Sequence, residues 1–98
     1  LFRSGKWLMQ KGIITVVGKD QVGIIAKVCT FLAEKQINIL DISQTIIQGY
    51  FNMMMIVELT SVIDEFGSVC DELNNLGAEI GVNIKLQHED IFNKMHRI

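Results

Sequence analysis

The hydrophobic pattern changes its period across Gly18-Lys19-Asp20-Gln21-Val22-Gly23, which limits the local fold to a strand running into a helix. Ahead of the turn, Gly12-Ile13-Ile14-Thr15-Val16-Val17 is short, β-branched and bounded by glycine, the pattern of a buried strand. Behind it, Ile24, Val28 and Leu32 recur every fourth residue, with Ile25, Cys29 and Ala33 one step round the same face. A helix begins with N–H groups that lack intrahelical partners and with a partial positive charge, so the turn can receive a carboxylate or phosphate. Any strand-to-helix join also needs small or capping residues, and Asp20 suits capping as well as it suits a ligand.

The periods alternate again downstream. Residues 37–47 are β-rich but ambiguous: Leu40, Ile42 and Ile46 suggest one buried face, while Ile39 and Ile47 lie on the other, as a bulge or a partner chain would explain. Gln48-Gly49 is a hairpin signal. After it Phe51, Met53, Met55, Val57 and Leu59 alternate with Tyr50, Asn52, Met54, Ile56 and Glu58. Thr60-Ser61 predicts the start of a second helix, capped by Ser61 with Asp64 in its first turn, apolar along Val62, Phe66, Val69, Cys70, Leu73 and Leu76, and ended by Gly77. Ile80, Val82, Ile84 and Leu86 then predict a last strand. The order is β-α-β-β-α-β, an α+β ferredoxin-like sandwich: a four-stranded antiparallel sheet with two helices on one face. Ile91, Phe92, Met95 and Ile98 predict a short C-terminal helix. The expected organisation is an N-terminal segment at 1–8, read as an expression remnant or disordered stretch before Met9, a domain over 9–87 and a helical tail over 88–98.

Composition removes several function classes. With a formal charge of −2 and nine scattered basic residues, no basic block exists to follow a nucleic-acid backbone. No apolar run is long enough to span a bilayer. Cys29 and Cys70 sit at apolar helical positions, the usage of a reduced, cytoplasmic protein. Met53-Met54-Met55 resembles a soft-metal run, but in a strand Met54 faces away from its neighbours, so core filling is the better account. His88 and His96 are too far apart to share a helix face and read as surface residues; no metal or cofactor is expected. No nucleophile–base pair is visible, and the glycine turn is neither a Walker A nor a dinucleotide loop, so no enzymatic activity is expected.

Two segments resemble the ACT domain, a regulatory ligand-binding family with this element order: the run from Thr15 to Ala26, with its Asp-x-x-Gly-Ile turn, and the run from Gln36 to Gln44, which looks like the family's Gly/Ile-x-Asn-Ile start of strand two, with Asn38 in it and Asp41 close by. The Asp-Ile-Ser-Gln run and the tail are similar to short stand-alone bacterial members. The resemblance implies a non-catalytic regulatory domain, a homodimer, binding a small amino-acid-like ligand between subunits and acting on a separate, unknown protein. Carried onto this chain, Gly18, Asp20, Val22, Gly23 and Ile24 would form one wall, and Asn38 with Asp41 of the neighbouring subunit the other. Many family members have proline where Val22 stands, so this turn has less built-in rigidity. Gly23→Val is expected to abolish ligand binding and leave the fold largely intact. The alternative is a protein–protein interaction module without a small-molecule ligand, using the open sheet face and the tail.

Overall fold

The computed structural model describes residues 10–19 and 22–89. They form β1 (Lys11–Lys19), α1 (Ile24–Glu34), β2 (Asn38–Ile47), β3 (Tyr50–Glu58), a 3-10 segment (Thr60–Glu65), α2 (Phe66–Ile80) and β4 (Val82–His88). The four strands make one sheet in the order β2-β3-β1-β4. Every neighbouring pair is antiparallel, so this is the ferredoxin-like βαββαβ sandwich. The segments 1–8 and 91–98, and Asp20 with them, lie outside the described residues.

One apolar cluster joins both layers. Ile14, Val16, Met53, Met55, Val57 and Ile84 from the strands bury against Ile24, Val28 and Leu32 of α1 and Val69 and Leu73 of α2. Burial along β3 alternates without a fault, and Met53 and Met55 are core while Met54 is exposed on the other face. The stripe on α1 is narrower than its sequence suggests: Ile25 and Ala33 are exposed and Cys29 is half-buried.

The second helix begins later than the sequence indicates. Thr60–Glu65 is 3-10 with a break at Val62 (φ −124°), and the α-helix starts at Phe66. Ser61 caps nothing; its hydroxyl donates to the Gln36 carbonyl at 3.3 Å, tying this segment to the end of α1. Gly77 does not end the helix either. A Cβ there would sit 2.7 Å from the Val82 carbonyl oxygen, so Gly77 lets α2 pack directly against the backbone of β4. The stop is Gly81, left-handed at φ 84°, whose N–H bonds to the Gly77 carbonyl at 2.8 Å. Ile80 accordingly belongs to the helix, and β4 starts at Val82. Cys70 half-buries between α2 and β4, its thiol donating to the Leu86 carbonyl at 3.6 Å. Burial first, and the Asp71 charge second, push that thiol above the usual cysteine range.

The end of α1 carries a local conflict. Ile37 N–H bonds to Leu32 O at 2.9 Å and Gln36 N–H to Ala33 O at 3.0 Å, a Schellman closure with Gln36 left-handed at φ 60°. Glycine is the usual residue there. The left-handed penalty of about 1–2 kcal/mol for an L-residue exceeds the entropy glycine adds to the unfolded chain, about 0.5–1 kcal/mol. Gln36→Gly is therefore expected to raise stability by about 0.5–1 kcal/mol. A urea midpoint that moved down instead would show that the Gln36 side chain stabilises the fold.

The puzzle of β2 is resolved by a bulge. The pairing with β3 shifts between Ile39 and Asp41, leaving Leu40 as the extra residue. That shift puts Ile39 opposite Val57, Ile42 opposite Met55 and Ile46 opposite Phe51, all on the helix side of the sheet. Yet every residue of β2 is exposed, because it is the edge strand and the two helices do not extend over it. Ile39, Leu40, Ile42, Ile46 and Ile47 are 39–60% exposed, an uncovered aliphatic strip.

Candidate functional site

The two-residue turn at Gln48 (φ 51°) and Gly49 (φ 82°) sets the register of the hairpin. It aligns Ile46 with Phe51, and Phe51 in turn pairs with Gly18 on β1. The end of β2 therefore lies at the same end of the sheet as the start of α1. Between them is a cleft of about 250 Å³, walled by Gly23, Ile24, Ile25 and Ala26 of the helix start and by Gln44, Ile46 and Phe51 of the sheet. Phe51 is 2% exposed and closes its floor.

The residues singled out from the sequence take different places around this cleft. Gly23 is the N-cap residue of α1, left-handed at φ 92°, with no side chain to cap the helix and, among the described residues, none beyond its chain neighbours within 4 Å of where a Cβ would stand. Its glycine is required by backbone angle, not by crowding. Gly18 is required by crowding: a Cβ would come within 2.8 Å of a Val82 methyl, so the residue serves the packing of β4. Val22 is fully exposed, and Ile24 is buried in the core, where its side chain faces the cleft only as wall. Asp20 is outside the described residues.

Asn38 and Asp41 are not brought to this turn within one chain. Asn38 pairs with Glu58 and lies nine strand steps from Ile47, about 30 Å at the rise of an extended strand. It lines a separate, polar cleft of about 330 Å³ with Gln36, Glu58, Thr60 and Ser61. Asp41 falls on the open sheet face beside Ser43, Met54 and Ile56, put there by the bulge, and its carboxylate accepts the Ile42 N–H at 2.9 Å. Sequence reasoning passed over Ile25, Gln44, Ile46 and Phe51 as site residues. The hairpin register was the signal that could have found them, since Gln48-Gly49 fixes which β2 residues stand next to Phe51.

A glycine at φ 92° also changes the expectation for Gly23→Val. A β-branched residue in left-handed geometry is expected to cost about 1–3 kcal/mol of stability, so the variant folds less stably and its ligand affinity is read beside its stability. A thermal midpoint equal to wild type would show that the turn relaxes to accept it.

Elsewhere the chemistry is modest. Among the described residues, no group of three or more His, Cys, Asp or Glu side chains is arranged to hold a metal. No helix among them is long and apolar enough to cross a membrane. His88, expected at the surface, is half-buried, with Nε2 2.7 Å from Gln10 Oε1 and its ring edge-on to Phe66.

Residues 11–87 match the family model of the ACT domain. The chain belongs to the ACT domain family. A UPF0237 protein of Bifidobacterium longum is 60% identical over 90 residues, covering 92% of this chain and 100% of that protein. Among solved structures, an ACT domain protein from Streptococcus pneumoniae is 43% identical with a TM-score of 0.72, over 85% of this chain and 93% of that one. The ligand-free regulatory subunit of aspartate kinase from Thermus thermophilus is 30% identical with a TM-score of 0.62, over 81% of this chain and 51% of that one. ACT domains are regulatory rather than catalytic modules, typically binding amino acids, and the fold of this chain is theirs.

Proposed function

We propose that this ACT domain is a non-catalytic cytoplasmic regulator that binds a small amino-acid-like ligand between two copies of the chain. The observation that carries the reading is the cleft beside Gly23, which lies against the uncovered edge strand β2. The first N–H groups of α1 suit a ligand carboxylate, and Gln44 supplies an amide that donates and accepts.

An antiparallel pairing of two β2 edges supplies the second wall. With the two-fold axis at Ser43, Ile42 meets Gln44 of the other copy. The bulge at Leu40 then keeps Ile39 on the same face as Ile46. In that register Asn38 of one copy comes opposite Ile47 of the other, shortening the distance that one chain leaves open. Both pair to the open face through Glu58 and Tyr50, so Ile39 rather than Asn38 faces the cleft. Asp41 stays on the open face in this arrangement and serves the interface rather than the ligand.

The test is a thermal-shift series over the twenty amino acids at several protein concentrations. A ligand at a hundredfold excess over its Kd adds about 2.7 kcal/mol, so at least one amino acid is expected to raise the midpoint clearly. A second reading, assembly with another protein and no small ligand, draws on the exposure of β2 on both faces. It predicts a midpoint that rises with protein concentration and ignores every amino acid.

A further inference from the structure

We infer that the ligand carries an aliphatic side chain, seated in the cleft between the first turn of α1 and the end of β2; this rests on the ligand-binding reading above. Two isoleucines far apart in sequence converge there, Ile25 at 37% and Ile46 at 56% exposure, over the buried ring of Phe51. Among the described residues lining the cleft, Gln44 alone has a polar side chain and none is charged. A charged ligand side chain would shed water there without meeting a counter-ion among the described residues, whereas a branched aliphatic one would cover apolar surface that the monomer leaves wet. The volume, about 250 Å³, falls below the ~300–1,000 Å³ usual for drug-sized ligands and suits a small molecule. The contrast with the other end of the sheet is sharp in chemistry. The cleft at Asn38 is lined by Gln36, Glu58, Thr60 and Ser61, groups fitted to a polar or cationic end rather than to a hydrocarbon.

The experiment is calorimetric titration of the full chain with L-valine, L-leucine and L-isoleucine, set against L-serine, L-aspartate and L-lysine. The aliphatic three are expected to bind at least tenfold more tightly than the charged two, with serine between. Ile25→Ser, at an exposed position that the fold tolerates, is expected to weaken leucine at least tenfold. Tighter binding of aspartate, lysine or serine would overturn the aliphatic assignment and leave the ligand-binding reading standing. Silence with all six, and no thermal shift with any of the twenty amino acids, would overturn both. Leucine affinity unchanged in Ile25→Ser would remove the cleft as the seat of the side chain.

Discussion

Replacing Phe51 with alanine is expected to cost the fold about 3–5 kcal/mol, the range for deleting a fully buried ring. Its side chain is 2% exposed and belongs to the central cluster, between Gly18 on β1 and Ile46 on β2. Set against the roughly 5–15 kcal/mol that native proteins hold in total, the variant should lose a large share of its stability. Urea denaturation at one fixed protein concentration checks this, because any dimerisation would add to the apparent stability. The midpoint should fall with little change in slope. Phe51→Leu should recover much of the loss, since it leaves a smaller cavity. A loss under about 1 kcal/mol in the alanine variant would mean that the ring is not a core element, and the floor of the proposed cleft would go with it.

Placing lysine at Ile42 is expected to weaken self-association at least a hundredfold while barely touching the fold. Ile42 is 45% exposed in the single chain, so substitution there costs the monomer little. In the proposed pairing it lies beside the two-fold axis, where the ammonium groups of both copies would be drawn out of water and toward each other. A hundredfold change in Kd corresponds to about 2.7 kcal/mol, within the range of a central interface residue. Sedimentation or light scattering over a dilution series reads the result. Val17→Lys supplies the contrast, because Val17 is equally exposed at 45% but lies on the open face of β1. If Val17→Lys separates the copies and Ile42→Lys does not, the interface is the open sheet face, and the β2 pairing is wrong.

The order of elements was legible because it depends on local period. β3 carries a regular alternation and α1 a four-residue repeat, and Phe51, Met53, Met55 and Val57, with Ile24, Val28 and Leu32, are buried where those periods put them, while β1 reads as a β-branched run bounded by glycine. The motif Thr15 to Ala26 was legible in the same way, since a left-handed turn before a helix requires glycine at Gly23 whatever surrounds it. The roles of Gly18 and Gly77 were not. Both are glycine because a neighbouring strand comes within contact distance, and such distances depend on elements remote in sequence. The late start of α2 belongs with these: Thr60–Glu65 winds as 3-10 with a break at Val62, and Ser61 bonds across to the Gln36 carbonyl, a contact remote in sequence.

For the candidate site the division is sharper. The sequence by itself determined that a strand passes through a glycine turn into an amphipathic helix, and that β2 carries more aliphatic residues than one face requires. Only the tertiary structure decided what those residues face. The bulge at Leu40 puts Ile39, Ile42 and Ile46 on one side, and the sheet order leaves β2 at an edge that neither helix covers. It also put Gln44 and Ile46, rather than Asn38 and Asp41, beside the start of α1 in the same chain. The physical reason is that periodicity records which residues share a face, whereas pairing register and sheet order, set by contacts far apart in the chain, decide which faces meet.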